Sequence, residues 1–250
     1  MLYPGYAAED DYPLLERLLG DVALPLVHTT EHDVAHTVAD LLAVGQPDEL
    51  AAGWRELAPH RPDAVVWACT SGSFVFGWDG AAEQARRLAE TAGVPASSTS
   101  IAFAHAAQAI GARRVSVVAT YPEDVATKFV EFLRDGGSRL GGDSGGGGIE
   151  VTAFASRGIL MAGDVGTLGE DAVLELVESG AHPDADAILL PDTALHSVAW
   201  LENLEARAGR PVLTANQVTA WEGLRLAGHR RTYSGLGTLF RTGATLPTAH

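Results

Sequence analysis

Apolar residues fall along this chain in two alternating rhythms. Short stretches bounded by turn or helix signals, at 22–28, 64–68, 94–98, 114–119, 149–154, 187–190 and 211–214, predict strands, and Leu2-Tyr3, broken at once by Pro4-Gly5, predicts the stub of another. Between them apolar residues recur at helical spacing. This predicts helices over 10–19, through Val34, Val38, Leu41 and Leu42 with Thr29 or Thr30 as cap, over 50–57 until Pro59 and Pro62, and over 79–92 until Gly93. Further helices are predicted from Ser100 as cap to 110–111 and over 121–133, 168–177, 194–208 and 217–226. Strands alternating with helices throughout predict an α/β fold of mostly parallel sheets covered on both faces.

The pattern also repeats itself. Asp63-Ala64-Val65-Val66-Trp67-Ala68-Cys69-Thr70 lies over Asp186-Ala187-Ile188-Leu189-Leu190-Pro191-Asp192-Thr193. Gly93-Val94-Pro95 then lies over Gly209-Arg210-Pro211, and Gly111 falls close to Gly228. Such order predicts two pseudo-twofold-related halves with a cleft between them. The first would span 1–112 and be completed by the C-terminal segment, the second 113–228, with a tail at 229–250. Cys69 and Asp192 would then stand at equivalent strand ends on opposite walls, where ligands of open α/β sheets bind. Eight of the thirteen residues from Gly136 to Gly148 are glycine, with no lysine in the phosphate-loop position. The stretch reads as a flexible surface connection between Leu140 and the strand at 149.

Composition narrows the partners. A net charge of −15 argues against nucleic acid or an anionic membrane surface, yet a local nest of amides can hold a carboxylate in an acidic protein. The start lacks a basic segment followed by an apolar one, and no stretch of 18 apolar residues occurs. With a single cysteine this suits a reducing, cytoplasmic setting. The expected partner is a small carboxylate, with no nucleic acid, no membrane, no cofactor and no metal; a homo-oligomer stays open. His28, His32 and His36 would share a face only if a helix began before His28, which the strand at 22–28 prevents.

The candidate chemistry centres on Cys69, the only thiol. Thr70, Ser71, Gly72 and Ser73 behind it offer amides and hydroxyls for a developing enolate-like charge, and Thr193 with the amide of Ala194 would do the same from the other wall. An ionised Asp192 would repel a dicarboxylate by several kcal/mol. It would therefore be a protonated general acid, a selector against a carboxylate at that end, or the cap of a helix beginning near Ala194. His196 would lie near the cleft or in solvent. Trp67 and Trp200 read as core, and Phe74, Phe76 and Trp78 as a wall of the pocket.

Residues 64–73, the Ala119-Thr120-Tyr121-Pro122 turn, 187–193 and Pro211-Val212-Leu213-Thr214-Ala215-Asn216-Gln217 together resemble the maleate cis–trans isomerase and arylmalonate decarboxylase branch of the aspartate/glutamate racemase superfamily. The resemblance implies a pseudo-twofold, cofactor-independent enzyme acting beside a carboxylate. In maleate isomerases each half supplies a cysteine: the first, matching Cys69, attacks the double bond, and the second exchanges a proton. A tyrosine matching Tyr121 helps hold a carboxylate. This chain departs from that pattern at Asp192, which occupies the second cysteine position. It also lacks the asparagine expected within Tyr3-Pro4-Gly5-Tyr6-Ala7-Ala8-Glu9. The decarboxylases carry one cysteine, but in the second half, so the chain mirrors them. The first expectation is an isomerase with Cys69 as nucleophile and Asp192 as partner acid/base, binding substrate through Thr70, Ser71, Tyr121, Thr193 and Ala194. The alternatives are a decarboxylase or racemase working through an α-carbanion, and a binding protein that has lost catalysis.

Overall fold

The structure, a computed structural model, describes residues 1–140 and 148–241. Most of the glycine-rich connection, at 141–147, and the end of the tail, at 242–250, lie outside the described residues. Two four-stranded parallel sheets form the framework. The first runs in the order β2 (Val27–Thr30), β1 (Leu2–Pro4), β3 (Val65–Trp67), β4 (Ala96–Ser98). The second runs β6 (Glu150–Ser156), β5 (Arg114–Ala119), β7 (Ala187–Leu190), β8 (Val212–Thr214). The same order in both halves is the repeat expressed as topology. Because every pairing is parallel, all the carboxyl ends of a sheet open on one edge, and β3 and β7, interior in each, are buried along their whole length.

Helices cover these sheets: α1 (Asp11–Leu19), α2 (Val38–Val44), α3 (Pro47–Leu57), α4 (Ser71–Phe74), α5 (Gly77–Ala92) and α6 (Thr99–Ala109) in the first half of the chain. The second half carries α7 (Glu123–Leu140), α8 (Ala162–Gly166), α9 (Glu170–Ser179), α10 (Leu201–Ala208), α11 (Ala215–Leu226) and α12 (Gly237–Arg241). The equivalent helices α5 and α10 both end at a glycine in the left-handed region, Gly93 and Gly209 at φ 70° and 63°, where a side chain would be strained. Among the described residues no helix is long and apolar enough to cross a membrane.

Several expected boundaries moved, each for a local reason. The strand expected at 22–28 begins at Val27, because Pro25 has no amide to give and the ladder opens with the Val27 amide on the Met1 carbonyl, at 3.0 Å. Thr29 and Thr30 are thereby in β2, and Thr37 caps α2 by accepting from the Asp40 amide. Ser98, not Ser100, caps α6: its backbone is still extended there and its hydroxyl accepts from the Ile101 amide. The helix expected to stop at 133 continues to Leu140, since Gly136 lets α7 press onto the Trp78 ring, where a Cβ would come within 2.2 Å. The helix expected from 194 starts only at Leu201, after a 3-10 turn at Val198–Trp200. Before it, the Ala194 amide bonds to Asp192 and the Ser197 and Val198 amides bond to Asp11.

Across the pseudo-twofold, α6 packs on α11, and the Thr99 and Thr219 hydroxyls meet at 2.6 Å. At the outer end of this contact Glu222 of α11 is fully buried. Burial raises its carboxyl, but Arg225 and His105, at 2.7 and 3.0 Å, more than offset that and hold it down at about 2. A carboxyl held below its ordinary value of 4.5 contributes stability that is present above that value and lost as pH falls toward 2. Glu222→Gln should therefore cost about 3 kcal/mol at pH 7, a loss that shrinks below pH 4. Urea unfolding of both proteins at pH 7 and pH 3 checks this.

Candidate active site

Cys69 and Asp192 each stand two residues beyond their strand, on the loops that follow β3 and β7. Burial pushes the Cys69 thiol up to about 12, and the nearby charge of Asp192 adds to the rise. Opposing this, the Gly72 amide donates to Sγ at 3.2 Å, the Ser71 amide also bonds to it, and the Ser71 hydroxyl lies at 3.9 Å. The amides expected to hold the substrate thus point at the sulfur instead. Gly72 is needed for that approach, since a Cβ would sit 3.1 Å from Sγ.

The loop carrying the thiol is fixed from several sides. Gln84 donates to the Gly45 and Gly72 carbonyls at 2.7 and 3.2 Å, Ser100 donates to the Thr70 carbonyl at 2.6 Å, and Ser73 donates to Ser98 at 2.8 Å. The second half echoes the last of these bonds, with Ser197 donating to Thr214 at 2.8 Å. Such ties hold the sulfur in one place before any ligand arrives.

Asp192 is 3% exposed, and both its oxygens accept hydrogen bonds. Thr120 donates to Oδ2, and the Ala194 amide donates to Oδ1 at 2.9 Å. Ala194 therefore serves Asp192 rather than a substrate, and the cap role falls away with the helix it was to cap. The Thr193 carbonyl is held by the Tyr3 hydroxyl at 2.9 Å and by Asn216 at 3.2 Å. Thr193 is therefore part of the wall that frames Asp192.

Tyr121 reaches the same place from the β5 turn. Its hydroxyl donates to the Pro191 carbonyl, and burial holds the phenol well above its ordinary range, helped by the charges of Asp192 and Cys69. The Thr70 and Ser71 hydroxyls lie beside that phenol and act in the opposite sense. Among the described residues Thr70 Oγ1 is buried without a hydrogen bond of good geometry, next to the Ser71 and Tyr121 hydroxyls. Cys69, Asp192, Thr70, Ser71 and Tyr121 are thus brought together. Phe74 backs the phenol at 5.8 Å between ring centres, whereas Trp78 stacks on Phe132 and Trp67 is core.

One member of the site was not anticipated. His36, on the loop after β2, is 3% exposed and places Nε2 3.9 Å from Asp192 Oδ2, with its ring edge-on to Tyr121 at 4.7 Å. The sequence showed it only as the third of three histidines at intervals of four. His28 lies in β2 with Nδ1 on the Gly5 carbonyl, and the three share no helix face. His196 pairs with the exposed Asp10 at 2.7 Å.

Comparison with known proteins follows the same lines. A sequence model described as arylmalonate decarboxylase matches residues 45–240. The arylmalonate decarboxylase of Bordetella bronchiseptica is 29% identical over 192 residues, 74% of each chain. Among solved structures, a liganded arylmalonate decarboxylase mutant, with a glycine changed to cysteine and a cysteine to serine, superposes with a TM-score of 0.79 at 25% identity, covering 96% of this chain and 97% of that one. The maleate isomerase of Pseudomonas putida S16 superposes with a TM-score of 0.82 at 21% identity over 96% of each chain.

The wall bearing Asp192 is anchored by a second buried acid, Asp11 of α1, which accepts from the Ser197 amide at 3.1 Å, the Val198 amide at 3.4 Å and the Asn216 side chain at 3.0 Å. Burial outweighs these bonds and raises its carboxyl from 3.8 to about 6. The folded state then keeps this proton after the unfolded chain has lost it, so stability falls as pH rises from about 4 to about 6. The loss from this group is about 3 kcal/mol. Asp11→Asn, which keeps an acceptor oxygen, should flatten that slope, as measured by chemical unfolding at pH 4 and pH 6.5 against the native protein.

Proposed function

The chain belongs to the arylmalonate decarboxylase family, and from that premise we propose that it removes carbon dioxide from a substituted malonic acid and delivers a proton from Cys69 to the carbon left behind. The observation that carries this reading is the state of the only thiol. With its ordinary value raised to about 12 by burial, Cys69 holds its proton at neutral pH, which suits a donor to a carbanion better than a nucleophile.

One substrate carboxylate would be held by the Thr70 and Ser71 hydroxyls, and by Tyr121 once its hydroxyl turns from the Pro191 carbonyl; among the described residues Thr70 Oγ1 has no hydrogen-bond partner of good geometry. The bond from the α-carbon to the second carboxylate breaks, carbon dioxide leaves, and the electron pair spreads into the held carboxylate as an enediolate, stabilised by those donors. The Sγ–H proton then moves to the α-carbon. The thiolate that remains is met by the Ser71 and Gly72 amides already aimed at it, and regains a proton from water. The balance is one malonate and one proton in, one monoacid and one carbon dioxide out.

Isomerisation stands as the second reading, because those same two amides would also favour a thiolate able to add to a double bond. It would need a thiolate at the outset and a second proton-exchanging group, a role that falls to Asp192. The reactions separate in deuterated water. Phenylmalonate should release carbon dioxide and give phenylacetate carrying one deuterium at the α-carbon, and Cys69→Ala should lower the rate at least about 100-fold. Conversion of maleate to fumarate with no carbon dioxide from phenylmalonate would favour the isomerase. Exchange at the α-carbon of a monoacid alone would favour a racemase, and binding of acids without any conversion a binding protein. In a separate test, iodoacetamide at pH 8 should label native Cys69 more slowly than the same thiol in the unfolded chain.

A further inference from the structure

Nothing in the proposed reaction uses His36, yet its ring is buried against the one carboxylate of the site. Nδ1 lies 3.0 Å from the Ile159 carbonyl. A carbonyl only accepts, so Nδ1 carries a proton and donates it. In a neutral ring the lone pair would then sit on Nε2, facing Asp192 Oδ2 at 3.9 Å. Two acceptors facing each other in a buried place, with no proton between them, would be unfavourable for both. Both Asp192 oxygens are already taken up as acceptors, Oδ2 by the Thr120 hydroxyl and Oδ1 by the Ala194 amide, so the place left for the missing proton is the histidine.

We propose that His36 is an imidazolium paired with the Asp192 carboxylate, so that the wall opposite Cys69 is electrically neutral and admits the second carboxylate of a malonic acid. The inference rests on the functional reading only for its last clause. The backbone supports the geometry independently: the His36 amide donates to the Leu160 carbonyl at 2.6 Å, the Ala162 amide donates to the Val34 carbonyl at 3.0 Å, and Ala35 bridges Met161. This clasp joins the loops after β2 and β6, one from each half, and holds the ring where it meets Asp192. The groups facing the ring are the Asp192 carboxylate, the Tyr121 phenol and the Ile159 carbonyl. Asp33, on its own loop, accepts from the Gly163 amide, and Arg157, on the facing loop, donates to Ser179. His36 is thus a positioning residue that sets the charge of this wall.

Nitrogen NMR of the full-length protein with labelled histidine reads the pair directly. At pH 7 the His36 ring should show protons on both nitrogens, and in Asp192→Asn only the Nδ1 proton should remain. A neutral ring in the native protein overturns the proposal without need of any variant, and an imidazolium that persists in Asp192→Asn overturns the pairing. The charge of the wall is read by kinetics. His36→Gln should raise KM for phenylmalonate about tenfold while leaving inhibition by the monoacid phenylacetate within about twofold, since only the second carboxylate meets the bare Asp192. An equal change in both, or in neither, overturns the claim of a neutral wall. If native protein shows the imidazolium but releases no carbon dioxide, the pairing stands and the decarboxylase reading falls. Release of carbon dioxide with a neutral ring has the opposite meaning.

Discussion

The placement of a carboxylate at Asp192, 3% exposed and directly behind an apolar strand, is the constraint around which the rest of the site is arranged. Removing a carboxylate from water is tolerated only where donors replace the solvent. Here two arrive from separate places in the sequence, Thr120 from the turn after β5 and Ala194 from the same loop, and the His36 ring from the other half of the molecule stands 3.9 Å away. The clasp between residues 34–36 and 159–162, the bond from Tyr3 to the Thr193 carbonyl, and the anchoring of Ser197 and Val198 by Asp11 all keep those donors in register. Without them the loop after β7 would be free to take up the helix its sequence suggests.

This accounts for what was legible in the sequence and what was not. Buried parallel strands are read easily, because β7 is a continuous apolar run and β5 is apolar but for Arg114 and Ser116. The equivalence of Cys69 and Asp192, each two residues beyond the third strand of its sheet's order, was legible from the repeat. His36 was not legible, because what makes it part of the site is a loop-to-loop clasp with a partner 123 residues away. The run at 194–208 misled for a related reason. Its helical spacing is genuine, but the first amides are claimed by carboxylates whose positions only the tertiary fold decides. The same holds at Gly136, where a poor helix former is tolerated because α7 must approach the Trp78 ring.

The two walls also show how a duplicated scaffold acquires direction. Equivalent strand ends carry a thiol on one side and a carboxylate on the other, and burial acts differently on their surroundings. Around Cys69 the few donors do not offset desolvation, so the neutral, proton-bearing form is favoured. Around Asp192 both oxygens are met by donors, the Thr120 hydroxyl and the Ala194 amide. A pair of identical groups would leave either wall free to give or take a proton.

With a thiol in one half and a carboxylate in the other, the proposed proton to a carbanion comes from the Cys69 side, and the Asp192 side is left to manage charge. That division explains why the departure from the two-cysteine pattern need not signal a lost activity. A second thiol serves a reaction that passes protons across the cleft, as isomerisation does. Decarboxylation needs only one donor, together with a wall that tolerates a carboxylate long enough for it to leave as a neutral gas. A buried aspartate alone would oppose that second requirement, and the imidazolium beside it removes the opposition. Asp192 and His36 are therefore best understood as one unit, built on two loops that the clasp brings together.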